Sequence, residues 1–111
     1  MFSCSIIKGG AMEKLVENVC QRDLFDLADL FKIFSDSTRI RILYTLLESE
    51  KNVSTISKTL DMSQSAISHQ LRYLKENNLV RSKRDGQSII YSLADNHVEY
   101  IIKMGLEHLY E

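Results

Sequence analysis

Hydrophobic residues in this chain recur with the period of an α-helix as far as Glu76, and beyond it they alternate as in a β-hairpin. The 111 residues include no proline and only four glycines, so few breaks are imposed on the helical part. A further helical pattern follows the alternating segment. This order predicts a mainly α-helical domain with a small β-hairpin.

Three helices are predicted in the first half of the chain. A short helix is expected over residues 12–20, and apolar residues at helical spacing from Leu24 to Phe34 predict an amphipathic one. Asp36 or Ser37 can cap the third helix. Its apolar stripe is predicted to comprise Ile40, Ile42, Leu43, Leu46 and Leu47.

A helix-turn-helix is predicted next. A short helix is expected from Val53 to Leu60, and Asp61-Met62 is predicted to form a tight turn. Ser63 is a good N-cap for a longer helix that extends to about Glu76. The buried face of that longer helix is predicted to comprise Ile67, Leu71 and Leu74.

The hairpin has predicted strands at Leu79–Arg84 and Gln87–Leu93. Between them lies Asp85-Gly86, a dipeptide suited to a type I′ turn because both central residues of that turn need positive φ. A final helix is expected from about Asp95 to Tyr110. A helix-turn-helix followed by a basic hairpin is the arrangement of a winged helix-turn-helix.

The net charge of −1 conceals an uneven distribution of charge along the chain. Residues 63–91 carry five basic side chains against two acidic ones, whereas residues 92–111 carry one basic side chain against four acidic ones. The basic segment coincides with the predicted second helix of the helix-turn-helix and the hairpin. It can therefore meet the phosphates of DNA.

The predicted recognition helix presents short polar side chains, the kind that can contact base edges in the major groove. Gln64 can make two hydrogen bonds to an adenine edge, and basic residues of the hairpin can reach phosphates or the minor groove. The candidate DNA-binding residues are Ser63, Gln64, Ser65, Ser68, His69, Arg72, Arg81, Lys83, Arg84 and Gln87.

The last helix carries Asp95, His97, His108 and Glu111, which are ligand types common in zinc sites. His97 and His108 differ by about 20° around the helix but lie about 16 Å apart along it, so one ion cannot bind both on one helix. Two antiparallel helices would bring Asp95 and His97 of one chain to His108 and Glu111 of the other. A homodimer would then hold two equivalent sites. Asp95 is placed at the N-cap, because in a regular helix it would point away from the other three.

The chain resembles the ArsR/SmtB family of bacterial metal-sensing repressors, and the likeness extends over nearly the whole domain. The segments that carry it are Phe34–Leu43, Ser63–Leu71 and Lys83–Gln87. The resemblance implies a repressor that binds operator DNA as a homodimer and is released when Zn2+, or Co2+ or Cd2+ in its place, binds. The four residues of the last helix match the family's C-terminal-helix zinc site. The resemblance also implies a hydrogen bond from His108 to a backbone carbonyl near Asn78.

A homodimer is predicted to form without metal, through the N- and C-terminal helices. Gly105 is expected near the two-fold axis, where the absence of a side chain would let the two backbones approach closely. The predicted contact residues are Leu24, Leu27, Phe31, Val98, Ile102 and Gly105.

Composition places the chain among ordinary globular domains, with 44% hydrophobic and 26% charged residues. We expect a flexible arm over residues 1–11 and one winged-helix domain over residues 12–111. No apolar run is long enough to span a bilayer and no signal peptide is evident, so no membrane partner and a cytoplasmic location are expected.

Two cysteines are too few for a disulfide framework, and a reducing compartment would keep Cys4 and Cys20 as thiols. Some cadmium- and lead-sensing relatives carry a Cys-x-Cys pair at positions that look like Asn52 and Ser54 here. A complete soft-metal site is therefore not expected, although the two thiols leave an accessory site open.

Two alternatives to a zinc-responsive repressor remain open. One is a winged-helix regulator with a different trigger or none, in which the acidic last helix only dimerises and any zinc is structural. The other is a hydrolytic zinc enzyme. An enzyme is disfavoured because four protein ligands would leave no position for water and no nucleophile stands out.

Overall fold

The computed structural model describes residues 18–111, which fall into two units on either side of Ser35. In the first unit the described residues contain one helix, α1 (Gln21–Phe34). The second unit contains α2 (Ser37–Glu48), β1 (Lys51–Asn52), α3 (Val53–Leu60), α4 (Gln64–Glu76), β2 (Val80–Asp85), β3 (Ser88–Leu93) and α5 (Asn96–Leu109). The predicted arm and most of the predicted helix over residues 12–20 lie outside the described residues, and residues 18–20 are not helical.

Helix α1 has an exposed apolar stripe. Its backbone begins with a capping interaction, because the N–H of Cys20 donates to a carboxylate oxygen of Asp23 at 3.1 Å. Leu24, Leu27 and Phe31 are 44–51% exposed. The amphipathic pattern therefore predicted the helix correctly, while the stripe itself stays open to solvent.

Cys20 is fully buried and disulfide-bonded, so the prediction that it remains a thiol is wrong for this structure. That prediction was based on the redox state of the compartment. Disulfide formation depends on whether folding brings two sulfur atoms within bonding distance, which spacing along a sequence does not reveal. The other cysteine of the sequence, Cys4, lies outside the described residues.

The turn between α3 and α4 is held by its own backbone and by one buried hydroxyl. Asp61 adopts the left-handed conformation with φ of 54°, as the tight turn predicted at this position requires. The Ser57 hydroxyl donates to the carbonyl of Met62, whose own N–H donates to the carbonyl of Ser57 at 3.0 Å. This closed pair of hydrogen bonds sets the direction in which α4 leaves the turn.

The hairpin is part of a three-stranded antiparallel sheet with strand order β1-β3-β2. The third strand, β1, was not predicted, because its two residues are too few to show alternation. In the hairpin Asp85 pairs with Ser88, so the central residues of the turn are Gly86 and Gln87 rather than Asp85-Gly86. Gly86 has positive φ of 64° and Gln87 does not, which is the requirement of a type II′ turn rather than of the predicted type I′ turn.

The core of the second unit lies between α2, α3, α4, the sheet and α5. It includes Ile42, Leu43, Leu46, Ile56, Leu60, Ile67, Leu71, Leu74, Leu79, Val80, Val98 and Ile102. The predicted buried face of α4 is confirmed, since Ile67, Leu71 and Leu74 have no exposed area. Among residues 18–111 no helix is both long and apolar enough to cross a membrane.

We expect Ser57→Ala to lower the free energy of unfolding by about 1–2 kcal/mol, because the substitution leaves the Met62 carbonyl without its hydroxyl donor. Urea denaturation followed by circular dichroism measures this loss. Thr59→Ala is the matched control, since the Thr59 hydroxyl makes an exposed hydrogen bond within the same helix. Equal losses in the two variants would contradict a special role for Ser57.

Candidate functional site

The polar face of α4 is exposed along its whole length, opposite the buried leucine and isoleucine face. Ser65, Ser68, His69 and Arg72 are all exposed and lie within about 100° of one another around the helix axis. Gln64 is exposed at the first turn, on the border of this arc. The structure therefore brings five of the candidate DNA-binding residues to one accessible surface of the second helix of the helix-turn-helix.

Ser63 starts this helix rather than standing on its face. Its hydroxyl oxygen accepts a hydrogen bond from the backbone N–H of Ala66 at 3.1 Å, as a capping serine does. The hydroxyl proton stays available to donate to a phosphate oxygen. Ser63 can thus both begin the helix and contact a DNA backbone.

An aromatic contact next to this face was not predicted from the sequence. The guanidinium of Arg39, in the first turn of α2, stacks over the ring of Tyr73 at 4.8 Å from its centroid. Such a cation–π contact ties α2 to the last turns of α4. The sequence offered one indication of this contact, because Tyr73 is an aromatic residue on an otherwise polar helix face. Its side chain is 39% exposed in the structure.

The basic residues of the hairpin lie on two different faces of the sheet. Ser82 faces α4, because its hydroxyl receives a hydrogen bond from the ammonium of Lys75 at 2.7 Å. Since side chains alternate along a strand, Arg84 shares the face of Ser82, whereas Arg81 and Lys83 lie on the opposite face. Arg84 is thus the hairpin cation on the same side as the recognition helix. Gln87 is exposed in the turn.

Lys83 already has a partner in the structure. Its ammonium lies 3.2 Å from a carboxylate oxygen of Glu50, an exposed residue that precedes β1. Within the described part of the chain, neither Arg81 nor Arg84 forms an ion pair. The three basic residues of the hairpin are therefore not equivalent, which their shared charge in the sequence did not indicate.

The four candidate metal ligands form two separate pairs at opposite ends of α5. Asp95 is the N-cap, as predicted, and one of its carboxylate oxygens accepts from the N–H of His97 at 2.9 Å and of Val98 at 3.2 Å. Its other oxygen lies 3.5 Å from Nδ1 of His97. At the far end, Nδ1 of His108 lies 3.9 Å from a carboxylate oxygen of Glu111.

Each pair combines an imidazole with a carboxylate, two ligand types found in zinc sites. Two ligand atoms bound to one tetrahedral zinc at about 2.0–2.1 Å lie roughly 3.3 Å apart, so the Asp95–His97 separation is close to that value and the His108–Glu111 separation is wider. All four side chains are exposed, and in the described residues no three potential ligands of one chain come together. One chain therefore presents two separate pairs, each with one imidazole and one carboxylate.

The face of α5 that carries these pairs is left exposed by the described part of the chain. Tyr100 and Met104 lie on it between the two histidines, and they are 57% and 62% exposed. Val98 and Ile102, predicted as dimer contacts, are instead 3% and 5% exposed, because they pack against the chain's own core. Among the residues described, a Cβ at Gly105 would meet nothing within 4 Å, so their packing does not require glycine there.

The hydrogen bond expected from His108 to a carbonyl near Asn78 is absent in the described chain. Among residues 18–111 the His108 ring pairs with Glu111 alone, and its side chain is 83% exposed. A different connection reaches the recognition helix from the other end of α5. Ala94, which precedes Asp95, donates to the carbonyl of Leu79 at 3.0 Å, and Leu79 donates to the carbonyl of Leu74 at 2.9 Å.

Comparison with known proteins places these features in a family. Residues 36–82 match the family model described as bacterial regulatory protein, arsR family. The chain is 38% identical over 85 residues to a transcriptional repressor SmtB homolog of Synechocystis sp., an alignment that covers 77% of this chain and 64% of that protein. It is 30% identical over 109 residues to a cadmium resistance transcriptional regulatory protein CadC homolog of Staphylococcus aureus, covering 97% and 90% of the two chains.

The fold is similarly matched among solved structures. HlyU from Vibrio cholerae N16961 superposes with a TM-score of 0.74 at 31% identity, covering 82% of this chain and 98% of that one. The solution structure described as the homodimeric winged helix-turn-helix DNA-binding domain of Mb0332 from Mycobacterium bovis matches with a TM-score of 0.74 at 24% identity, covering 95% of this chain and 92% of that one. The predicted winged helix-turn-helix fold is confirmed. The hydrolytic enzyme considered above is excluded, because the relatives are regulators of transcription.

Replacing Tyr73 tests whether Arg39 stabilises the placement of α4. We expect Tyr73→Leu to lower the free energy of unfolding by about 0.5–1 kcal/mol, and Tyr73→Phe to preserve it, because phenylalanine keeps the ring face. Tyr44→Leu is the control for losing an exposed tyrosine, since Tyr44 is 53% exposed on α2. Equal losses in the Tyr73→Leu and Tyr44→Leu proteins, measured by urea denaturation, would sink the cation–π assignment.

Proposed function

The chain belongs to the arsR family of bacterial regulatory proteins, and we propose that it is a metal-responsive transcriptional repressor that binds operator DNA as a homodimer. Zn2+, or a similar ion such as Co2+ or Cd2+, binds between the α5 helices of the two chains and releases the DNA. The observation that carries this proposal is the pair of incomplete ligand sets at the two ends of α5. A repressor of this kind acts in the cytoplasm, where bacterial DNA lies.

The DNA is contacted by the exposed face of α4 and by the hairpin. The α4 side chains, from Gln64 to Arg72, enter the major groove, and Arg84 reaches the backbone or the minor groove from the same side of the sheet. A homodimer presents two such surfaces related by two-fold symmetry. Its operator is then a symmetric sequence whose half-sites lie about one helical turn of DNA apart.

A dimer completes the metal sites because each chain lacks two ligands at each end of α5. In an antiparallel pair of α5 helices, Asp95 and His97 of one chain face His108 and Glu111 of the other. The exposed Tyr100 and Met104 supply the apolar contact between the helices. The exposed stripe of α1 offers further apolar surface to a second copy.

The ligand types favour zinc or cobalt over softer ions. Imidazole and carboxylate are the donors, and Cys20 is buried in a disulfide, so it adds no thiolate. The Staphylococcus aureus relative is a cadmium resistance transcriptional regulatory protein homolog, which supports control by a divalent metal in general. Bound to two α5 helices at once, the ion supplies a cross-link between the chains.

The switch requires that metal bind the DNA-free dimer more tightly than the DNA-bound dimer, because only a difference in affinity shifts an equilibrium. Cross-linking the α5 helices changes the spacing of the two recognition helices. The hydrogen bonds from Ala94 to Leu79 and from Leu79 to Leu74 pass that change to α4. By linkage, DNA weakens metal binding by the same factor, with a coupling free energy of roughly 1–3 kcal/mol.

The DNA contacts are tested with a site selected from random duplexes by the wild-type protein. We expect Gln64→Ala to cost about 1–3 kcal/mol on the selected site and little on unrelated DNA, because it removes a base contact. Arg84→Ala weakens binding to both and reduces the salt slope by about 1, because it removes a phosphate contact. Titrations at several salt concentrations measure both effects.

The control for loss of a cation is Lys103→Ala, because Lys103 is paired with Glu99 on α5 and belongs to no proposed DNA contact. We expect its affinity and salt slope to match those of the wild-type protein. Unchanged binding in both the Gln64→Ala and the Arg84→Ala proteins would remove α4 and the hairpin from the DNA interface.

The shared metal sites are tested by mixing two inactive variants. His97→Ala and His108→Ala each destroy both sites of a homodimer, so each alone loses tight zinc binding and stays on DNA when zinc is added. In a mixed dimer the two intact half-sites meet, and we expect one tight zinc per dimer to return. Isothermal titration calorimetry on a refolded mixture measures this recovery.

The matched control is a mixture of His97→Ala with Asp95→Ala, which damages the same half-site in both chains and restores nothing. Recovery in both mixtures, or in neither, would contradict a site shared between chains. Stoichiometric zinc binding that leaves DNA affinity unchanged would make the metal structural, and the regulator would then need another trigger.

A further inference from the structure

Glu50 places a carboxylate within the basic surface of the hairpin. The segment from residue 63 to residue 91 has three more basic than acidic side chains, yet the ammonium of Lys83 lies 3.2 Å from the carboxylate of Glu50. Both side chains are exposed, at 63% and 50%. Glu50 lies outside the basic segment of the sequence and reaches this surface only through the fold.

The chain around Glu50 is anchored. The ammonium of the next residue, Lys51, donates to the carbonyls of Thr45 at 2.7 Å and of Ser49 at 3.2 Å, which ties β1 to the end of α2. On the sheet side, Lys51 pairs with Tyr91 of β3. The Glu50 carboxylate is therefore presented from a fixed backbone position.

Lys83 must reach across the sheet to meet this carboxylate. The central strand β3 separates β2 from β1, because its Ile90 pairs with Lys83 on one side and with Asn52 on the other. The two outer strands are therefore about 10 Å apart, which is twice the spacing of neighbouring strands. The Lys83 side chain therefore extends from β2 towards the segment that precedes β1. Arg81, two residues earlier on the same face of β2, makes no ion pair among the described residues.

We propose that Glu50 limits the DNA affinity of this protein by holding the Lys83 ammonium on the face of the sheet away from α4, in competition with DNA phosphate; the inference rests on the proposed DNA-binding function. Because β2 is an outer strand of the sheet, the flexible stem of a freed Lys83 can turn to the side of α4, where DNA is proposed to bind. If the Lys83 ammonium approached a phosphate while still paired with Glu50, the phosphate and the carboxylate would come close together. Their repulsion makes that arrangement unfavourable. Because the pair is exposed, the competition is modest and weakens with salt. Glu50 thereby tunes how firmly the hairpin holds DNA, without touching DNA itself.

The test compares Glu50→Gln with Glu48→Gln on a fluorescent duplex carrying the selected site and on a duplex of unrelated sequence. Both variants remove one negative charge, but in the described chain only Glu50 is paired with Lys83. We expect Glu50→Gln to bind both duplexes roughly two- to fivefold more tightly at low salt. Its salt slope should steepen by less than the ~0.9 that one phosphate contact contributes.

Lys83→Gln supplies the second arm of the experiment. In that background the gain from Glu50→Gln should shrink to the gain from Glu48→Gln, because no ammonium remains to be released. Thermal melting should show all of these variants folded, since an exposed ion pair adds little stability.

Each outcome decides the proposal. Three results would overturn the role of Glu50 and leave the proposed function intact. The first is an equal gain in DNA affinity in Glu50→Gln and Glu48→Gln, and the second is a gain in affinity that persists without Lys83. The third is weaker DNA binding by Glu50→Gln. If the wild-type protein binds neither duplex, the proposed function fails and the role of Glu50 fails with it.

Discussion

Burial of one side of α4 is the constraint on which the rest of the structure depends. Ile67, Leu71 and Leu74 have no exposed area, and truncating a buried leucine typically costs about 2–5 kcal/mol. With that side fixed in the core, the polar side of the same helix has no alternative but to face solvent. The Ser57–Met62 hydrogen bonds and the left-handed Asp61 then set its direction relative to α3. A surface suited to a DNA groove follows from packing on the opposite side of the helix.

The length of α5 imposes a comparable constraint on the metal ligands. Eleven residues of helix hold His97 and His108 about 16 Å apart, so a single chain cannot bring the two imidazoles to one ion. Each end of the helix nevertheless pairs an imidazole with a carboxylate, at 3.5 Å and 3.9 Å. In the proposed metal-binding dimer a second molecule completes each ligand set, so oligomeric state and metal binding depend on each other.

Much of the fold could be predicted because it depends on local chemistry. Three helices are capped by side-chain oxygens, those of Asp36, Ser63 and Asp95. The spacing of apolar residues in α4 predicts which of its faces is buried. The hairpin was predicted, but its turn lies one residue further along, since strand pairing placed Asp85 opposite Ser88. The two-residue strand β1 had no periodic signal at all. Its existence depends on partners that are distant in the sequence.

The sequence by itself determined the order of elements, the polar face of α4 and the presence of four metal-ligand types on one helix, because caps and periodicity act within a few residues. Only the tertiary structure decided which of these groups have partners. It buried Val98 and Ile102 in the chain's own core and left Tyr100 and Met104 exposed. It also brought Glu50 to Lys83 and Arg39 to Tyr73, across more than thirty residues in each case. Pairings of this kind are set by strand order and helix packing, which charge and spacing along a chain do not encode.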